Sequence, residues 1–189
     1  MMDFAEFTPA RLADRAYIIE ILHRWARGVD RLDVDLMRAA FHPDATDNHG
    51  LYVGGVDGLI DFILTRHKEI PFSWHIISNV VIEFAALDVA IVESLCMTVQ
   101  HHSEASEAAV NLFKAGTVGR PIDMIGFGRY ADRFERRNSQ WKISERTVVY
   151  DSQIVTKSPG MSPSPGFAAG RRDRDDFIYK LRAQAGLTA

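Results

Sequence analysis

Trp74-His75-Ile76-Ile77-Ser78-Asn79-Val80-Val81-Ile82-Glu83-Phe84 opens the part of the chain that decides its fold. Residues 74–84, 89–101, 123–136 and 140–151 are rich in β-branched and aromatic side chains and largely alternate with period two. That is the pattern of strands with one buried face. Ala86-Leu87-Asp88 and Arg137-Asn138-Ser139 are short enough for hairpin connections, and Asn138 tolerates the left-handed conformation such turns demand. Upstream the period changes. Thr8-Pro9 reads as an N-cap followed by proline at the first helical position, and Ile18, Ile19, Leu22, Trp25, Ala26 and Val29 form an apolar stripe at helical spacing. A second helix is expected after Asp33, turning Leu36, Met37, Ala40 and Phe41 inward and stopping at Pro43. Residues 44–50 read as turn-rich and lead to a short strand at 51–53. A third helix then runs from about Val56 to Glu69, with Leu59, Ile60, Ile63 and His67 at helical spacing. Between the middle two long strands, residues 103–121 form an insertion with an Ala-rich piece suited to a short helix. Three helices followed by an antiparallel meander predict an α+β domain over residues 1–151, a cone of curved sheet wrapped around the helices.

The remainder, 152–189, differs in composition. Pro159, Gly160, Pro163, Pro165, Gly166 and Gly170 predict a mostly extended arm, closed by a short helix within 171–185. Its Phe167, Phe177, Ile178, Tyr179 and Leu181 would be costly to leave in water, which predicts packing against a neighbouring subunit. The whole chain, at 189 residues with 47% hydrophobic and 25% charged side chains, fits one globular domain with ragged ends. A net charge of −3, with each basic run accompanied by acidic neighbours, argues against nucleic acid as a partner. One cysteine, Cys96, excludes an intrachain disulfide and sits in an apolar run as a packing residue. Residues 1–6 lack a basic and apolar leader, and no apolar run suits a membrane span, so a cytoplasmic protein is expected.

Several residues could carry chemistry. Asp30 falls at the edge of the apolar helix stripe, where a carboxylate is expensive unless paired. Taken alone it fits a cap or an ion pair with Arg27 or Arg31 as well as a functional role. His75 opens the first long strand and shares a face with Ile77 and Asn79. Arg146, on a face with Ser144, Val148 and Tyr150, either snorkels at a sheet edge or supplies a fixed cation to a cavity. Gly126 and Gly128 share a strand face, where missing side chains make room for a cavity or a bend. The string His42-Pro43-Asp44-Ala45-Thr46-Asp47-Asn48-His49 has no metal-ligand spacing, so no metal is expected. The absence of a phosphate loop, nucleophile elbow and dinucleotide fingerprint leaves cofactor-free chemistry.

Five stretches carry a resemblance covering about residues 10–151. They are Arg27-Gly28-Val29-Asp30-Arg31-Leu32-Asp33, Phe41-His42-Pro43-Asp44-Ala45, Trp74-His75-Ile76-Ile77-Ser78-Asn79, Tyr130-Ala131-Asp132-Arg133-Phe134-Glu135-Arg136-Arg137 and Trp141-Lys142-Ile143-Ser144-Glu145-Arg146. Together they resemble the SnoaL-like branch of the nuclear transport factor 2-like superfamily, whose relatives include polyketide cyclases, scytalone dehydratase, lindane dehydrochlorinase and bile-acid 7α-dehydratase. The resemblance implies a cone with a deep apolar pocket. It also implies a catalytic pair at Asp30 and His75, with Arg146 at the position of an assisting arginine. Where relatives place a lysine or tyrosine five residues before the aspartate, this chain has Trp25, which cannot act as an acid. Tyr130, Tyr150 and His49 are the candidates to replace it, with Trp25 and Asn79 as further substrate contacts.

The expected activity is that of a cofactor-independent lyase: a dehydratase-type elimination on a small hydrophobic cyclic molecule, with an Asp30–His75 general base assisted by Arg146. The alternatives are an isomerase or polyketide cyclase with the same pocket, or a non-catalytic accessory subunit like the small subunit of ring-hydroxylating dioxygenases. A homo-oligomer is expected, a trimer ahead of a dimer.

Overall fold

The computed structural model describes residues 7–162 and 164–187; the leader reading of residues 1–6 and the Pro163 position lie outside them. The first helix, α1 (Pro9–Arg31), starts as its sequence predicts, with the Thr8 hydroxyl accepting from the Arg11 N–H at 3.4 Å. It ends at Leu32 in the left-handed region, whose N–H returns to the Gly28 and Val29 carbonyls. Asp33 then caps α2 (Val34–Ala39), accepting from the Leu36 N–H at 3.2 Å. The corner closes only over glycine, because a Cβ on Gly28 would stand 2.9 Å from the Met37 nitrogen.

The stretch expected to turn after Pro43 is instead a strand, β1 (Phe41–Asn48). Proline survives there because the pairing of β1 is interrupted between Phe41 and Thr46, so Pro43 owes no ladder hydrogen bond. Next come β2 (Val53–Gly55) and α3 (Val56–Arg66), the latter continuing as a 3-10 turn over His67–Glu69. The long strands are β3 (Phe72–Ala86), β4 (Val89–His102), β5 (Ile122–Arg137) and β6 (Gln140–Lys157), with α4 (Glu107–Phe113) in the insertion. Asn138 and Ser139 both take positive φ, 51° and 62°, in the last hairpin. The sheet order is β2-β1-β6-β5-β4-β3; β1 and β6 are parallel and every other pair is antiparallel.

Helix α1 lies against β3 and is latched at both ends. Arg15 donates to the Ile82 carbonyl at 3.0 Å, and Asp30 meets His75. The Arg15–Asp30 length of helix is about 22 Å at its ordinary rise. Seven strand steps from Ile82 back to His75 span about 23 Å. The two repeats therefore match, and the helix delivers Asp30 to the start of β3. The main core lies between helices and sheet, with Ile18, Leu22, Trp25, Leu59, Phe134 and Ile143 fully or almost fully buried.

The expected boundary after Asp151 falls inside β6, which runs on to Lys157. The arm beyond folds back on its own chain through its polar side. Arg174 pairs with Asp33 and Asp35, the Tyr179 hydroxyl donates to Asp33 at 2.6 Å, and Asp176 meets Arg31 at 3.3 Å. Its short helix, α5 (Phe177–Gln184), leaves Phe177 and Leu181 exposed, as is Phe167 before it. Among the described residues no helix is long and apolar enough to cross a membrane.

Candidate active site

Asp30 and His75 meet. The imidazole donates from Nδ1 to Asp30 Oδ1 at 2.7 Å, and the His75 backbone N–H donates to Oδ2 at 3.0 Å. One carboxylate thus holds both the ring and the main chain of the same residue. A carboxylate only accepts, so Nδ1 carries a proton, and in the neutral ring that leaves the lone pair on Nε2. Asp30 is 8% exposed and both its oxygens are taken by His75, which replaces the cap reading; among the described residues neither Arg27 nor Arg31 pairs with its side chain.

His75 lines a cavity of about 450 Å³. Trp25, Val29, Phe62 and Ile63 come to its wall from the helices, and Tyr130 and Val148 from the sheet. Gly126 and Gly128 line it as well. A Cβ on Gly126 would stand 2.5 Å from Thr98 Oγ1 and 3.0 Å from the Tyr150 hydroxyl, so glycine there keeps the cavity open.

The other anticipated residues divide. Trp25, Tyr130, Tyr150 and His49 all reach the cavity. Trp25 is fully buried, packed edge-on against Phe41 at 5.1 Å, and its indole N–H has no hydrogen-bond partner among the described residues. Burial, first, and the neighbouring Cys96 push the Tyr130 phenol well above its ordinary pKa, so it stays a neutral hydroxyl. The Tyr150 hydroxyl donates to Gln153 at 2.9 Å. His49 is held through Nδ1 by the buried Asp47 at 2.9 Å, a second carboxylate–imidazole pair at the same cavity. The His42 end of that string turns away, its Nε2 against the Glu135 carbonyl at 2.9 Å. Cys96 also lines the wall, with burial raising its thiol pKa, as suits a packing residue.

Two expectations change. Asn79 is exposed and outside the cavity lining. Its φ of 48° marks an irregularity in β3 between Ser78 and Val81, which ends the strict alternation from His75. Arg146 is also absent from the lining. It is 1% exposed and makes two 2.7 Å bonds to Asp132, Nε to Oδ1 and Nη2 to Oδ2. Its guanidinium lies 3.8 Å from the Tyr130 ring centroid, with Trp25 and Phe41 also around it. Burial opposes the charge on Arg146, but the Asp132 carboxylate outweighs it and holds the pKa above the arginine value. Arg146 supports the cavity floor from behind.

The structure adds His67 and Arg66, which the sequence placed on a helix without a role. Both line the cavity. His67 is 4% exposed, and Arg172 of the C-terminal arm donates to its Nδ1 at 2.7 Å. A guanidinium only donates, so the His67 proton resides on Nε2. Arg172 also donates to the carbonyls of Val29, Asp30 and Ile70 at 2.8, 3.0 and 2.6 Å, tying the arm to the end of α1 that carries Asp30. Burial and then Arg172 and Arg66 push the His67 pKa down to about 2; burial and then Arg66 push His102 down to about 4.

Acid sensitivity is the consequence. Both imidazoles are neutral in the folded chain and regain their ordinary pKa of 6.5 when it unfolds. Below that pH the unfolded state binds more protons, so stability is complete above pH 6.5 and falls as the pH drops. The expected loss is about 1.4 kcal/mol per pH unit for each imidazole. Urea unfolding should therefore show a loss of about 3 kcal/mol between about pH 7.5 and 5.5, with His67→Gln removing about half of it. A flat profile would contradict the buried neutral state.

A curved sheet closed by helices over an apolar cavity, with a helix-borne carboxylate orienting a strand-borne imidazole, places the protein among cone-shaped α+β pocket proteins. A sequence model of the SnoaL-like domain matches residues 10–147. The chain belongs to that family, within the nuclear transport factor 2-like superfamily. No curated protein matches it. Among solved structures it is similar to a protein assigned as a scytalone dehydratase from Novosphingobium aromaticivorans, at 18% identity and TM-score 0.62, covering 84% of this chain and 96% of that one. It is also similar to the type-3 hexachlorocyclohexane dehydrochlorinase LinA of Novosphingobium barchaimii, at 19% identity and TM-score 0.62, covering 82% and 97%. A protein of unknown function with a cystatin-like fold from Nostoc punctiforme matches at 18% identity and TM-score 0.54, covering 74% and 92%. Likeness at this identity establishes the fold; the chemistry has to be argued from the site.

Proposed function

We propose that the protein is a cofactor-independent lyase that removes water from a hydroxylated cyclic substrate. The observation that carries this reading is the 2.7 Å Asp30–His75 bond at the wall of an apolar cavity. His75 Nε2 takes a proton from a carbon beside an electron-withdrawing group, and the C–H electron pair becomes the new double bond. The C–O bond to the neighbouring hydroxyl breaks, and the departing oxygen takes a proton to leave as water. We assign that proton to His75 itself, whose Nε2 passes on the one taken from carbon and so ends the turnover as it began, while His49, held by Asp47, contacts the substrate from the same cavity. Tyr130, kept neutral by burial, can donate a hydrogen bond without ionising. The Asp132–Arg146 pair behind it contributes fixed charge and holds the ring in place. Dehydratase and dehydrochlorinase neighbours of the same fold agree with elimination as the reaction class.

Product mass tests the proposal. Incubation with hydroxylated cyclic ketones should yield a product lighter by one water. A product of unchanged mass would replace elimination with isomerisation by the same base. Binding without any conversion would leave a ligand-binding module.

A further inference from the structure

Arg66 ends α3 on the cavity wall, and among the described residues no carboxylate pairs with it. Burial lowers its pKa from the ordinary arginine value, and Tyr150 opposes this. The other guanidiniums nearby are engaged. Arg129 meets Glu93 at 3.2 Å and Asp151 at 3.9 Å, Arg146 meets Asp132, and Arg172 is spent on three carbonyls and His67. Arg66 is half-buried, and a guanidinium that keeps its charge at a partly desolvated site gains from a counter-ion. Next to it His67 is locked with its Nε2 proton outward from Arg172, and that nitrogen has no hydrogen-bond partner among the described residues. A fixed cation and a fixed neutral donor on adjacent residues are complementary to an oxyanion.

We propose that Arg66 and His67 form the carboxylate-reading end of the cavity, so that the substrate is an apolar ring system bearing an acid group. Arg172 is the positioning residue: by occupying His67 Nδ1 it turns the ring into a donor toward the ligand. This rests on reading the cavity as the substrate site and adds the charge of the substrate to it. The apolar frame of the ligand lies along Trp25, Phe62 and Val148, and its carboxylate supplies the counter-ion that Arg66 lacks.

Calorimetric binding of 2-naphthoate and of neutral 2-naphthamide to the full chain tests the idea without any turnover. The carboxylate should bind at least about tenfold more tightly than the amide, and added salt should narrow the gap. Arg66→Met should abolish the preference, with circular dichroism confirming the fold. Arg172→Met should reduce it, because freed Nδ1 lets the His67 tautomers mix. In His75→Ala the preference should persist. Equal affinities in the wild type, a preference retained in Arg66→Met, or no binding of either compound would each overturn the proposal. None of these outcomes bears on product mass, so the elimination reading stands or falls separately.

Discussion

His75→Ala is expected to lower kcat/KM by about 10³-fold on any cyclic substrate the wild type converts, with the fold kept at some cost in thermal stability, because Asp30 then retains only the backbone N–H at position 75. The size reflects the role: a positioned general base contributes about 10²–10⁴-fold, and a water molecule filling the gap replaces only part of it. Asp30→Asn should cost a similar amount although it preserves shape. An amide can donate to Nδ1, which would shift the ring proton to Nε2 and remove the lone pair the reaction needs. The His75 backbone N–H would keep an acceptor in the asparagine oxygen, so the local main chain should hold. Steady-state kinetics on the two variants checks this, and activity within about threefold of wild type in both would exclude the pair from the chemistry.

The largest stability effect is expected at Asp132. Its two 2.7 Å bonds to Arg146 lie in the core, with both side chains inaccessible to water. Burial raises the Asp132 pKa, and Arg146 offsets that only in part, a sign of how costly the site is for a lone charge. Asp132→Ala would leave the Arg146 guanidinium buried among Tyr130, Trp25 and Phe41 without a counter-ion. The expected loss is about 3–5 kcal/mol in urea unfolding. Replacing both residues together, Asp132→Leu with Arg146→Met, should recover most of it, because no charge then remains to be solvated. A loss below about 1 kcal/mol for Asp132→Ala would show that water reaches the guanidinium. Since Tyr130 rests on Arg146 and lines the cavity, ligand affinity should fall in the single variant as well.

Local chemistry made much of this fold legible. Thr8-Pro9 and Asp33 cap the helices they were expected to cap, and Asn138 takes its left-handed turn. The Asp30–His75 contact was legible only through family resemblance, because the two residues are far apart in sequence and each has an ordinary explanation alone. Arg146 shows why its partner was missed. Counting back from the turn pairs Arg137 with Gln140 and Phe134 with Ile143, a register that would set Asp132 beside Glu145. A bulge between Arg133 and Phe134 shifts the count by one and puts Asp132 opposite Arg146. Alternation cannot reveal a one-residue slip, and the same limit misplaced Asn79, which lies within the irregularity in β3. Pro43 misled in another way, since a proline in a strand is tolerated where the ladder is already broken. The roles of Arg66 and His67 were hidden because they depend on Arg172, which arrives from a segment expected to face another subunit.

The proposed chemistry stands on one physical state: an Asp30 carboxylate that keeps the His75 proton on Nδ1 and leaves Nε2 free. Long-range nitrogen–proton correlation NMR on imidazole-labelled protein at neutral pH reads that state without any substrate. The wild type should show the His75 signal pattern of the Nδ1–H tautomer, and Asp30→Asn should lose it. A wild-type His75 carrying its proton on Nε2, or exchanging freely between tautomers, would contradict the proposed base.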